Sequence, residues 1–553
     1  MRTLHKYLTT DLLKVAVMST AAFTLVMTVI GILEPLRKQG LAAREVVAVL
    51  GLTFLLMLSL TLPIATLFAA TIVFGRFSQD NEMIACRASG VSTINVLKPA
   101  LWVGAAVTFI SLLLSNVVVP QMAKGAGVAL YANMKGVFFN VINRRGTYDE
   151  LDAVVIRAEK ADIATSTLTG VVVIEKRSEE QPKEDQYGNL VRDKVPFVVA
   201  SQARVLGFAQ TPEGDTYVRI ALADARGALQ DQLGIQRSGI VEWGPLPNPI
   251  DKSFSMWSDW ATLWAAMKNP TRYAEIGKSL REYRREISNE RFAREFVETI
   301  NTGRPYSALR NETTSYEILA DEAELDGPTT VVLRGNVAPD GSGIPVTVRE
   351  TTDGKTILRT SRYGTIETGW SAFRNGSMVT IRLETPDVLD TSDPDALPRR
   401  EQAWVKGGDL ALPPHIIREQ NEISLRALLD NPGQFTSDPA MISHIRFLRQ
   451  DRVPKLNNGN IALMHFRVSY GASCFLMVAM GAALGLMFRG GQVLVAFLLT
   501  LIPAAAVLLM GLMGKEMVRN PDVPRGIGLI CIWGGIFLIL AANAIIYWRL
   551  SKK

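Results

Sequence analysis

Six stretches of this chain run for about 18 residues or more without a charged side chain: Val15–Leu33, Val46–Gly75, Pro99–Val119, Val468–Phe488, Gly490–Gly514 and Gly526–Trp548. A helix needs about 20 apolar residues to cross about 30 Å of hydrocarbon. A soluble core does not collect six such runs in two clusters of three, so the pattern predicts six transmembrane helices in a 3+3 arrangement. The first run is followed within a dozen residues by a second and has no small-residue cleavage site before Glu34-Pro35, which sets it apart from a signal peptide. An apolar fraction of 48% beside 20% charged residues is the mixture expected when greasy segments share a chain with a polar domain, and it excludes fibrous and wholly disordered classes.

Charge is divided the same way. The flanks 1–119 and 461–553 together carry +10, and residues 120–460 carry −4. The basic balance belongs to the membrane ends, so it gives no argument for nucleic-acid binding. Cys86, Cys474 and Cys531 all lie outside the middle region, which rules out a disulfide framework there. His5, His415, His444 and His465 are scattered, with no HExxH and no Cys/His cluster, so neither metal nor cofactor is expected. There is no GxxxxGK[ST], so the chain cannot hold ATP by a P-loop of its own.

Between the clusters, β-branched and period-two runs recur: Val154–Ile156, Val171–Ile174, Phe197–Val199, Tyr217–Ile220, Thr330–Leu333, Val346–Val348 and Met378–Ile381. Turn signals at Glu213-Gly214-Asp215, Asp353-Gly354 and Asn375-Gly376 separate several of them. These predict an antiparallel sandwich or open barrel. A helical stretch from about Phe254 to Ile300 splits the strands. In it Tyr273, Ile276, Leu280, Tyr283 and Ile287 form one stripe, while Trp257, Trp260 and Trp264 form a second apolar patch that reads better as packing than as a ligand site. Helical pieces at Ser424–Asp430 and Pro439–Gln450 lead back to the membrane.

The loop between the second and third runs, Gly75–Ser92, carries both charge signs. Asp80 or Asn81 can cap a short helix, Glu82 suits its positive end, and Gly90 can terminate it in the left-handed conformation. The run Asp80-Asn81-Glu82-Met83-Ile84-Ala85-Cys86-Arg87-Ala88-Ser89-Gly90-Val91-Ser92 closely resembles the cytoplasmic coupling segment of the lipopolysaccharide-export permeases, the LptF/LptG (YjgP/YjgQ) family. Other landmarks are similar in the same order: Leu4–Lys14, Glu422–Leu429, Met464-His465-Phe466-Arg467, and Gly481–Leu486 with Arg489-Gly490-Gly491. The likeness covers about 1–135 and 420–553.

The resemblance implies a permease subunit of an ABC-type exporter in the bacterial inner membrane. Such a subunit pairs with a second LptF/LptG-type permease above a cytoplasmic ABC ATPase dimer. It takes lipopolysaccharide from the membrane and passes it through a periplasmic jellyroll to a bridge protein of the LptC/LptA type. The expected domains are 1–119 with a coupling helix at 78–92, a periplasmic jellyroll-like β region at 120–460 with a helical insertion about 254–303, and 461–553. The insertion has no assigned counterpart in the family. Asp80, Glu82, Arg87 and Gly90 are then the expected ATPase-coupling residues.

Arg37 and Lys38 are the expected headgroup ligands, being basic residues placed after span one as they are in the family. With both termini in the cytoplasm, nine basic residues face inward and six, including this pair, face outward. The alternative transport reading is a permease of another ABC-type envelope lipid or lipoprotein transporter. A lipid-modifying enzyme would need a GxSxG, a metal cluster or paired intramembrane carboxylates, which the sequence lacks. A sensor would need a cytoplasmic output domain, and the inner loops are too short for one.

Overall fold

The computed structural model describes residues 2–39, 43–123, 134–149, 151, 154–176, 183–184, 190–191, 197–210, 216–229, 232–246, 258–311, 313–336, 343–371, 376–393, 395–407, 410–488 and 493–551. The chain divides into two compact units. One comprises Met1–Val137, Asn248–Tyr273 and Gln450–Lys553, and the other Phe138–Pro247 and Ala274–Arg449.

The first unit is helical. Its principal helices are α1 (Arg2–Gln39), α2 (Ala43–Gln79), the short α3 (Glu82–Ala88) and α4 (Thr93–Leu113). A single π-turn, Leu114–Val118, prolongs α4. Among the described residues, six helices are long and apolar enough to cross a membrane: Arg2–Leu33, Leu50–Gln79, Thr93–Ala123, Pro439–Met487, Leu498–Arg519 and Arg525–Leu550. These coincide with the six runs expected from the sequence. The fourth belongs to the longest of the helical segments, because a polar stretch before the apolar run continues it.

Close packing between these helices is set by glycine. In the helix Val453–Met487, a Cβ on Gly481 would stand 2.7 Å from the Leu67 carbonyl oxygen, and one on Gly485 would stand 2.8 Å from that of Thr71. Glycines four apart therefore let this helix and α2 touch backbone to backbone, the small-residue packing that substitutes for a hydrophobic driving force inside lipid. Polar side chains close remaining gaps. Thr24 and Thr61 hydroxyls meet at 2.7 Å, the Tyr470 hydroxyl donates to the Leu60 carbonyl at 2.6 Å, and Asn543 donates to the Leu476 carbonyl at 3.0 Å.

The second unit is rich in antiparallel sheet. Helix α5 (Met134–Arg145) leads into it, and buried Phe138 packs on Tyr148 and Phe208. A seven-stranded sheet follows in near-sequential order through Val154–Arg157, Thr167–Glu175, Phe197–Gln210, Thr216–Leu229 and Gln232–Leu246. Farther along the chain, a six-stranded sheet and a five-stranded sheet share one core. The former presents Tyr316, Ile318, Val346 and Val348, the latter Val331, Leu333, Ile366, Val379, Ile381 and Leu383, all under 2% exposed. Alternation along each strand accounts for this, since every second side chain points to the same face.

The helical stretch expected at 254–303 is two helices with different partners. Helix α6 (Trp260–Lys268) belongs to the helical unit and α7 (Ala274–Asn301) to the sheet-rich one. On α7 the stripe holds, with Ile276, Leu280 and Ile287 buried, and its last turns seat Phe292, Phe296 and Ile300 in the two-sheet core. Phe254 and Trp257, with the turns at Glu213–Asp215 and at Asn375, lie outside the described residues. The remaining helices are α8 (Pro414–Glu422), α9 (Leu425–Asp430), α10 (Pro439–Phe447), α11 (Val453–Met487), α12 (Val493–Arg519) and α13 (Arg525–Ser551).

Candidate functional site: the α3 coupling segment

Two residues, Asp80 and Asn81, separate helix α3 from the end of α2, and its start differs from the expected side-chain cap. Asn81 occupies the N-cap in the left-handed region, φ +59°, and its side chain makes no cap bond. Its carbonyl instead accepts the Ile84 and Ala85 amides at 3.0 and 3.2 Å. A tight reversal straight out of α2 leaves Asn81 no room for the extended backbone a capping side chain requires.

The far end is as expected. Gly90 has φ +77°, its amide donates to the Arg87 carbonyl at 2.9 Å, and the Val91 amide donates to the Cys86 carbonyl at 2.9 Å. This paired pattern is the Schellman termination, and Val91 packs beside Cys86 against the helical core, as such motifs favour.

One residue plugs the segment into the bundle. Met83 is 3% exposed and joins a core with Leu8, Leu12, Phe74, Phe77, Leu97 and Leu486, drawn from α1, α2, α4 and α11. Polar ties surround it. Arg76 pairs with Asp11, the Ser78 hydroxyl donates to the Leu486 carbonyl at 3.1 Å, and His5 meets the Asn95 carbonyl at 3.0 Å. Arg87 donates through Nη2 to Thr93 Oγ1 at 3.2 Å, while its buried Nε–H finds no acceptor among the described residues. A displacement of α3 is therefore handed to the ends of four helices.

The sequence-predicted site residues fall at opposite ends of the helical unit. Asp80 is exposed, Glu82 and Arg87 are half-buried, and Gly90 is exposed, all on or beside α3. Arg37 and Lys38 lie on the last turn of α1, about 40 Å along its axis from Asp11. Their side chains lie outside the described residues.

Sequence reasoning missed Ile84, which presents an exposed apolar side chain, 47% accessible, on the face of α3 away from Met83. The signal was available in the pair Met83-Ile84. Adjacent residues on a helix point about 100° apart, so the core can take only one. It also missed Asp11 and His5, whose partners lie 65 and 90 residues away in the chain, and Thr93, which Arg87 reaches from six residues away.

Residues 6–186 match the family model described as lipopolysaccharide export system permease LptF/LptG. That stretch belongs to the LptF/LptG family. It takes in α1 from Lys6 onward, α2, α4 and the whole of α3. Among curated proteins, no sequence matches. Six membrane-capable helices make this a multi-pass membrane protein, and the family that residues 6–186 match is one of lipopolysaccharide-export permeases, whose members are transport subunits. Among the described residues no group of His, Cys, Asp and Glu is arranged to hold a metal.

Proposed function

We propose that this chain is one permease subunit of an ABC-type exporter that extracts lipopolysaccharide from the bacterial inner membrane. In this reading it pairs with a second LptF/LptG-type subunit, and the 3+3 helices bracket a periplasmic jellyroll-like region. An ATPase dimer docks on α3 from the cytoplasm, and lipid leaves through a bridge of the LptC/LptA type. The observation that carries the reading is the mounting of α3 inside the family-matched region. Its buried side holds Met83 in the bundle, and its other side offers Ile84 between Glu82 and the exposed Ala85 and Ala88. An apolar knob with flanking charges is what a groove on a soluble partner can grip.

Arg37 and Lys38 are proposed to meet the lipid's anionic headgroup at the opposite end of α1, where two cations can form charge-assisted hydrogen bonds to phosphate. Tagged chain purified from native membranes should bring with it a P-loop ATPase and a second family permease. Recovery of the chain with neither would remove the proposal. Orientation is tested separately with Ser201→Cys, at an exposed position of the sheet-rich unit, in a background lacking Cys86, Cys474 and Cys531. An impermeant maleimide should label it once the outer membrane is opened. Labelling only after the inner membrane is breached would invert the orientation.

A further inference from the structure

Helix α6 is a nine-residue amphipathic segment inside the helical unit. Its buried side chains are Leu263 and Ala266, and Leu263 packs with Leu463 and Met464 of α11. Its other side exposes Trp260 (40%) and Trp264 (53%), followed by exposed Lys268. The Asp259 carboxylate caps it, accepting the Thr262 amide at 2.7 Å.

Two helices independently fix its depth. Leu463 and Met464 lie 23 to 24 residues before Met487, where α11 ends beside α3, and that is about 35 Å of helix. The Trp260 indole donates to Asn116 Oδ1 at 2.7 Å, and Asn116 lies 23 residues after Thr93, where α4 starts beside α3, again about 35 Å. Since the hydrocarbon slab is about 30 Å thick, both rulers place α6 just beyond its face on the side remote from α3.

Three polar anchors hold α6 at that level. Buried Arg467 donates to the Ser258 carbonyl at 2.8 Å, Asn460 donates to the Tyr273 hydroxyl at 2.7 Å, and that hydroxyl donates to Asn457 at 3.1 Å. Tryptophan at headgroup depth with a lysine beside it is the composition of an interfacial segment, the indole being apolar in body and polar at its edge. On α4, the exposed apolar side chains Phe109, Ile110 and Leu113 precede Asn116, the residue Trp260 contacts, by seven residues or fewer.

We propose that α6 is a membrane-interface anchor, with Trp260 and Trp264 seated among the lipid headgroups of the leaflet remote from α3. It is a monotopic contact added to the six spans. The inference needs only that those spans lie in a bilayer, so it stands apart from the choice of transported cargo.

The test uses the full chain in bilayers whose phospholipids carry bromine either close to the headgroup or close to the chain methyl end. Emission is compared between the wild type and Trp264→Phe, which leaves the Trp260–Asn116 bond in place, and then Trp260→Phe/Trp264→Phe. The emission lost in each variant should be the part quenched by shallow bromine, only weakly by deep bromine and hardly by aqueous acrylamide. Quenching of that component by acrylamide with no response to either bromolipid would overturn the proposal, placing α6 in water. Indifference to all three quenchers would also overturn it, because another protein would then cover the helix.

Discussion

Gly90 fixes the length of α3 through backbone conformation alone. Its φ is +77°, and a Cβ there would meet nothing within 4 Å. Gly90→Ala therefore tests the left-handed requirement without a steric complication, at a cost of about 1–2 kcal/mol. Amides at the end of α3 should exchange with solvent about tenfold faster or more. Unchanged protection there would mean the termination is not holding the segment. Glu290 on α7 is the corresponding residue in the sheet-rich unit. Its side chain is 3% exposed and accepts from Thr436, from the amide and hydroxyl of Ser437, and from Arg294. Burial pushes its carboxyl up, but the Thr436 and Ser437 hydrogen bonds with Arg294 outweigh that and hold it below the usual range. A depressed folded value means the stabilisation is present above the unfolded value of 4.5 and is lost as pH falls through the folded one. Glu290→Gln should lower the unfolding midpoint at neutral pH by the loss of charged hydrogen bonds, about 1.5–3 kcal/mol, and flatten the decline below that pH. Parallel wild-type and variant curves against pH would contradict the assignment.

Among the elements, α11 depends most on what it lacks. A Cβ at Gly485 would meet Thr71 O, Gly75 N and Phe74 C at 2.8–3.2 Å, all backbone, so α2 cannot yield by turning a side chain. Gly485→Leu should force the helices apart and cost about 1–3 kcal/mol or more, lowering the thermal midpoint in detergent. Gly459 on the same helix has only Arg519 Cγ near, at 3.9 Å, so Gly459→Ala should leave that midpoint unchanged or raise it. Equal responses at the two positions would sink the close-approach account. The spans themselves were legible because a membrane imposes length and apolarity on each segment separately. The end of α3 was legible for the same local reason, since Gly90 signals its own conformation. The contacts of Gly481 and Gly485 were not, although both residues stood in the landmark Gly481–Leu486. Nothing in one helix says which neighbour its small residues face. The split between α6 and α7 was equally hidden: Leu263 reads alike whether it packs in a β domain or on α11.

At the scale of the molecule, three segments of a helical unit alternate along one chain with two segments of a sheet-rich unit, which local pattern cannot reveal. The strands of 330–333, 346–348 and 378–381 were readable one by one. Their distribution over two sheets with a shared core depends on pairings such as Thr330–Arg334 with Tyr363–Ser371, about 30 residues apart. The family likeness was legible chiefly at Asp80–Ser92, and the structure adds to those residues a buried plug, Met83, and an exposed knob, Ile84. In the proposed function, ATP-driven motion enters the helical unit through that knob. The most direct measurement is lipopolysaccharide-stimulated ATP turnover by the reconstituted transporter carrying Ile84→Asp, compared with wild type at equal permease level. Loss of a buried apolar anchor in an interface costs about 2 kcal/mol or more, so the stimulation should fall tenfold or further while the permease remains folded. Stimulation at the wild-type level would contradict the account, leaving α3 as a connector between two spans.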